Sequence, residues 1–223
     1  MTLLNRQLVL CVLIVVIIAL STVFYFGSVS KSKPDKPSSS GSEILKPDGG
    51  LIEISSGFSD LVTMNPAEVD NSNLPVTPTY KLHLTGSAHR VDITQYRLIV
   101  NGLVETPLSV SYDELLQYPS VTRVVLLICP YVFADNAEWT GVPVSRLLDE
   151  AGVKPNASKV VFYSIDGYQA SLTIEEALVD EVFLAYNVNG QTLPPEHGYP
   201  LRLVVKGHYG ANWVKWLERI EVT

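Results

Sequence analysis

The sequence predicts a mixed α+β domain with more strand than helix. Three observations lead there: apolar, β-branched runs long enough for strands, two short helices announced by capping boxes, and no regular β-α-β alternation. Taken in order, Tyr96–Gly102 ("YRLIVNG") is strand-like and ends in Asn-Gly, a strong turn signal. Ser111 followed three residues later by Glu114 opens a short helix in "SYDELLQY". "TRVVLLIC" (Thr122–Cys129) is a buried strand halted by Pro130. "VPVSRLLDEAG" is a helix with Pro143 near its start and Gly152 at its end. "KVVFYSIDGY" is a strand and turn, and Thr173 with Glu176 makes the second capping box. "EVFLAYNVNG" and "LRLVVKG" are strands, and "VKWLERIEVT" closes the sheet. No internal repeat is present.

Composition narrows the function. The 223 residues carry a formal charge of −7, with 47% hydrophobic and 17% charged residues, as expected of a globular core. An acidic balance argues against a nucleic-acid partner, because phosphate-backbone binding favours a basic face. Residues 8–26 ("LVLCVLIVVIIALSTVFYF") hold no charge. At 1.5 Å rise per residue that run nearly matches the roughly 30 Å hydrocarbon core, so residues 1–27 are expected to be a single-pass membrane anchor. A cleaved signal peptide is the rival, but its apolar stretch is shorter, about 7–15 residues, and no A-x-A site follows. Arg6 on one side and Lys31, Lys33 and Lys36, offset by Asp35, on the other leave the orientation open. An extracytoplasmic domain is the expectation. Residues 28–78 are expected to be a flexible tether and extended lead-in, rich in Ser, Pro, Lys and Gly over its first part. The compact domain is expected over 79–223.

Two places carry chemistry. Cys11 lies in the apolar segment, so Cys129 is unpaired and a cysteine-based zinc or iron–sulfur site is excluded by count. Cys129 can be a buried strand-end cysteine, a nucleophile served by His197 and Asp166, or a soft ligand to a metal that arrives already chelated. The second place is "HGYPLRLVVKGHYGANWVK", which gathers His197, Arg202, Lys206, His208 and Lys215 around glycines. Arginine offers a planar fork to phosphate oxygens, lysine a point charge, and glycine loops a nest of N–H groups. Surface charge bracketing a strand is the plainer alternative.

These residues resemble a known family. Cys129, "EWTGVPVSRLLDEAG", "VVFYSIDGYQASLTIEEAL", "LAYNVNGQTLPPEHGYPLRLVV" and "GANWVKWLERIEV" occur in the order found in the molybdopterin-binding domain of the sulfite oxidase superfamily. That superfamily includes sulfite oxidase, plant-type nitrate reductase and the molybdenum subunit of bacterial protein-methionine-sulfoxide reductase. The resemblance spans Tyr96–Thr223. It implies a molybdenum–molybdopterin cofactor with Cys129 as the metal-binding thiolate. It also implies that His197 and Arg202 contact the pterin and its phosphate, and that Trp213, Val214 and Lys215 form the loop that closes on it. Ser164 or Asp166 would add a further contact. The implied chemistry is two-electron oxygen-atom transfer on a small oxo donor or acceptor, with electrons passed to a separate partner.

The pattern also departs. The C-x-G-N-x-R stretch of sulfite-oxidising members reads "CPYVFADNAEW" here, without arginine. The arginine- and asparagine-bearing segment upstream is replaced by "TYKLHLTGSAHRVD", in which His83 or Arg90 could substitute. The pocket tyrosine and the immunoglobulin-like dimerisation domain beyond "VKWL" are not found, which leads to an expected monomer. These departures argue against sulfite as substrate. Beside the enzyme, a non-catalytic molybdopterin-binding module and a Cys-His hydrolase stay open.

Overall fold

The computed structural model describes residues 58–223, together with the backbone of two short strands, β1 (Glu43–Leu45) and β2 (Leu51–Glu53), which pair antiparallel. The expected membrane anchor, residues 8–26, lies outside the described residues. Ten further strands and three short α-helices follow. In order they are β3 (Arg97–Gly102), β4 (Leu108–Ser111), α1 (Tyr112–Leu115), β5 (Val121–Cys129), β6 (Phe133–Pro143) and α2 (Val144–Ala151). Then come β7 (Lys159–Ser164), β8 (Gln169–Thr173), α3 (Ile174–Ala177), β9 (Val182–Val188), β10 (Gln191–Thr192), β11 (Arg202–Val205) and β12 (Leu217–Val222).

Two five-stranded sheets form. The first runs β10-β9-β6-β5, with β11 also on β9; the second runs β4-β3-β12-β7-β8. Every pairing is antiparallel except β3 with β12. The expected α+β, strand-rich character is therefore what the chain adopts. "VKWLERIEVT" closes the sheet from its middle: β12 is the central strand of the second sheet, between β3 and β7. Its buried Leu217, Ile220 and Val222 place it in the core.

Both capping boxes form. Ser111 and Glu114 exchange side-chain-to-backbone bonds around α1, and Thr173 and Glu176 do so around α3. In α2, Val144, Leu147, Leu148 and Ala151 recur at helical spacing on one buried face, and Gly152, in the left-handed region, ends the helix. Side chains from both sheets and α2 merge into one core.

No element was expected between Pro130 and the helix with Pro143 near its start, where strand β6 lies. It is nevertheless the longest strand, eleven residues, and it forms a hairpin with β5 from Val121↔Gly141 to Cys129↔Phe133. Gly141 is required there: a Cβ would lie 2.1 Å from the carbonyl oxygen of Leu184 on β9. Alternation along β6 puts Phe133, Asp135, Ala137 and Trp139 on one face and Ala134 and Asn136 on the other. Leu126, Ile128 and Ala134 on that second face are covered by Phe58, Leu61, Val62, Val69 and Leu74.

Of the expected extended lead-in over residues 51–78, the part from Phe58 onward is packed structure. The polar fastening is Asn136, fully buried. Its side-chain amide donates to the Leu74 carbonyl (3.0 Å) and accepts from Asn71 (2.8 Å), while its backbone exchanges bonds with Thr77. A buried amide so satisfied stabilises; stripped of those partners it would cost about 1–3 kcal/mol.

Candidate active site

Cys129 ends β5 and is partly exposed, just before the three-residue turn Pro130–Val132, in which Tyr131 adopts φ +60°. The 3-10 turn Gly210–Asn212 lies against this strand end, since a Cβ on Gly210 would sit 3.9 Å from the Cys129 Cα. The β7–β8 turn joins the same neighbourhood, because the Tyr168 hydroxyl donates to the Ala211 carbonyl at 2.7 Å. Ser164, buried at the end of β7, accepts the Asp166 N–H at 3.4 Å, and Asp166 accepts the Tyr168 N–H at 2.9 Å. Burial opposes ionisation of Asp166. These hydrogen bonds, with His89 and Lys215 nearby, hold its carboxyl below the usual range all the same.

His197 ends the 3-10 turn Pro195–His197, and Arg202 opens β11. They are only 5% and 7% exposed. Arg202 Nη1 donates to the His197 carbonyl at 3.3 Å, while its buried Nε has no partner. The guanidinium lies 5.3 Å from the Trp139 ring and 5.6 Å from the Trp213 ring, and the two indoles meet edge to face. Trp213 is fixed by donating its ring N–H to the Val205 carbonyl (3.0 Å), and the fully buried Val214 accepts the Leu203 N–H (2.8 Å). Lys215 donates to the carbonyls of Thr85 and Glu196 and covers the Trp216 ring at 4.2 Å. Gly198 makes that approach possible: at φ +112°, an added Cβ would stand 3.1 Å from the Lys215 Cα.

Positive charge gathers here, Arg202 buried and Lys215 half-buried. Among the described residues neither Arg202 nor Lys215 forms an ion pair, so the pairing of Arg202 with Glu196 that would make it structural does not occur. Burial, chiefly, lowers Arg202 to about 10, with Asp135 pulling the other way. Burial and then Arg202 lower Lys215 to about 8. A buried guanidinium without a carboxylate partner is costly, and an anion would offset that cost. Two basic residues of the motif lie elsewhere: His208 is 3.7 Å from Glu176, and Lys206 lies near Asp70, whose carboxyl is lowered chiefly by its hydrogen bonds with Ser72. Asp166 is 4.0 Å from His89 rather than set to orient His197, which leaves the hydrolase alternative without its third group. Among the described residues no three His, Cys, Asp or Glu side chains are grouped to hold a metal ion, so a metal at Cys129 would depend on ligands it brings.

The family model of the oxidoreductase molybdopterin binding domain matches residues 85–223. The chain belongs to this family. It is 32% identical over 154 residues to "Uncharacterized oxidoreductase YuiH" of Bacillus subtilis (strain 168), covering 68% of this chain and 77% of that protein. It is 31% identical to the protein-methionine-sulfoxide reductase catalytic subunit MsrP of Gluconobacter oxydans, covering 57% of this chain and 46% of that one. Among solved structures, the sulfane dehydrogenase SoxCD of Paracoccus pantotrophus superposes with a TM-score of 0.63 at 32% identity, over 71% of this chain and 45% of that chain. The chain spans only 20% of the nitrate reductase of Volvox carteri, which is 32% identical. The protein is a molybdenum-dependent oxidoreductase of the sulfite oxidase superfamily, and its cofactor is the molybdenum–molybdopterin group.

The site of this family member fits that group in chemistry. It has a partly exposed thiol, an unpaired guanidinium between two indoles, and a lysine brought close by a glycine that no other residue could replace without strain. A groove of about 800 Å³ opens beside His197, lined also by Val76, Pro78, Leu82, Leu84 and Asn189. Sequence reasoning missed Trp139, Asp135 and the Thr85 carbonyl. Only the W-T-G-V-P string flagged Trp139, and the other two have no local signal.

A pH prediction arises here. Burial first, then the charges of Arg202 and Lys215, bring His197 down to about 4. The unfolded chain takes a proton near pH 6.5, which the folded chain refuses until near 4. Stability of the cofactor-free protein is therefore fully present above 6.5 and falls as pH drops toward 4. Thermal melts across that window should steepen less in His197→Gln than in the wild type.

Proposed function

We propose that the chain is a single-pass, membrane-anchored molybdenum oxidoreductase catalysing two-electron oxygen-atom transfer on a small substrate. The observation that carries the cofactor assignment is Arg202: buried, without a carboxylate partner, its Nε unbonded, and clasped by Trp139 and Trp213. In this reading Cys129 binds the metal. Arg202 and Lys215 hold the phosphate, and His197 contacts the pterin as a neutral imidazole. Ser164 and Asp166 meet the cofactor from the β7–β8 turn, and Trp213 and Val214 meet it through the closing loop.

The bound cofactor supplies a metal that changes by two electrons and exchanges an oxygen atom; the protein supplies orientation and electrostatics. Arg202 and Lys215 neutralise a buried dianion, and the two indoles keep water from the guanidinium. Electrons pass to a separate partner. The charge-free residues 8–26 support the anchor, with the domain on the extracytoplasmic side. The relatives carry different activities in their names and this chain spans minor parts of several, so no substrate is transferred from them.

The test is elemental and pterin analysis of the full chain, purified in detergent from cells that make the cofactor. About one molybdenum and one pterin per chain are expected. Zinc, or no metal under molybdate-replete conditions, would count against the reading.

A further inference from the structure

Exposed apolar side chains collect at the end of the molecule where Cys129 reaches the surface. Tyr131 and Val132, at the tip of the β5–β6 hairpin, are 82% and 69% exposed, and Met64, Tyr168 and Tyr209 are exposed as well. Backbone contacts tie these places together. The Tyr131 N–H donates to the Val62 carbonyl at 3.0 Å, two residues from Met64. Gly210, next to Tyr209, lies against Cys129, and the Tyr168 hydroxyl holds the Ala211 carbonyl. A Cβ on Gly207 would stand 3.6 Å from the Ala67 Cα, so the segment before Tyr209 packs beside the one holding Met64. An apolar patch of this kind, rimmed by polar groups, marks a place where another molecule binds. Charge says which kind. Residues 58–70, 129–134, 168–176 and 206–211 contribute to this face. Their acids are Asp60, Glu68, Asp70, Glu175 and Glu176, all exposed, against a single lysine, Lys206, and no arginine. Lys206 lies near Asp70, and His208 is 3.7 Å from Glu176, so these bases are shared with the acids. Such a rim repels an anionic lipid surface or an acidic partner and attracts a basic one.

We propose that this face docks the electron partner, a one-electron carrier protein whose redox group lies in an apolar patch ringed by lysines. The inference rests on the cofactor reading above. Electron transfer weakens steeply with distance, so a carrier has to meet the chain where its metal comes nearest the surface. The partly exposed Cys129 marks that place. The apolar centre, Tyr131 and Val132 with Met64 and Tyr209, brings the two redox groups together. The acidic rim raises the rate of encounter, an effect that salt screens. One oxygen-atom transfer moves two electrons, so two carrier molecules visit in succession, each gaining or losing one. Water supplies or takes up the oxygen atom, and the two protons exchange with solvent.

The test uses the full chain, loaded with cofactor, reduced with dithionite, freed of excess reductant and mixed with an oxidised, lysine-rich cytochrome c. The second-order rate should fall at least about tenfold between about 10 and about 200 mM salt. The combined variant Asp60→Lys, Glu68→Lys and Glu175→Lys should keep its molybdenum, react about tenfold more slowly at low salt and lose most of the salt dependence. It should also react faster than the wild type with oxidised plastocyanin, an acidic copper carrier. Val132→Asn, which spoils the apolar centre without changing charge, should slow the cytochrome reaction several-fold at every salt concentration. A neutral benzoquinone, too small to need the face, should reoxidise all three proteins equally. A loaded wild type whose reaction with cytochrome c is independent of salt, or no faster than that of the lysine variant, overturns the proposal. So does one that prefers plastocyanin, or that yields electrons only to the quinone. A wild-type chain that takes up no molybdenum overturns the cofactor reading beneath it as well.

Discussion

Cys129→Ser should abolish turnover of the loaded enzyme, by at least about 10³-fold or about 4 kcal/mol of barrier, while leaving the fold intact. The argument separates packing from ligation. Cys129 is the last residue of β5, partly exposed, and makes its ladder pairing with Phe133 through main chain alone. A serine hydroxyl is nearly the same size, so the strand end should not change. As a donor, however, it is hard and un-ionised at neutral pH, where the thiolate it replaces is soft and polarisable. Circular dichroism and melting temperature check the fold, and steady-state turnover with a dye donor checks the chemistry. Full activity in the variant would remove Cys129 from the metal's surroundings.

Arg202 should give two effects of opposite sign. Arg202→Gln and Arg202→Met should each weaken cofactor retention by about 2–5 kcal/mol, roughly 30- to several-thousand-fold. Lys215→Gln should cost less, because a compact ammonium lacks the two-pronged contact of a guanidinium. Without cofactor the sign reverses for Arg202→Met. Its thioether fills the gap between the Trp139 and Trp213 rings and removes an unpaired buried charge, so the empty variant should melt above the empty wild type. Molybdenum and pterin per folded molecule, with melts of both forms, measure the two effects. If Arg202 were only structural, stability would drop and cofactor content per folded molecule would stay whole.

What the sequence revealed and what it hid follow a physical division. Strand β5, the helices under the two capping boxes and the Gly152 stop depend on interactions within a few residues, and all were legible. The Cys129 and Arg202 positions were legible through an ordered set of motifs. Strand β6 was hidden because its polar residues are satisfied from far away: Asn136 by Asn71, Leu74 and Thr77, and Asp135 by His83. A local window sees only an unpaired Asp-Asn and concludes loop. The same cause concealed the packing of residues 58–78, whose apolar side chains are sparse and meet their partners only across the back of β5 and β6. His208 shows the opposite error, since a histidine next to the basic motif points to Glu176 instead.

The position of β12 bears on how the protein is made. Its parallel partner is β3, with Arg219 opposite Ile99, so the middle of the second sheet joins residues 120 positions apart. Closing a loop of that length precedes any reward from the pairing, and such topologies are slow to form. On the ribosome, β3, β4, β7 and β8 emerge with a gap between them that only residues 217–222 can fill. The loop carrying Trp213, Val214 and Lys215 is drawn into place by the same event. Cofactor insertion, which needs that loop in place, is therefore expected to follow the docking of β12.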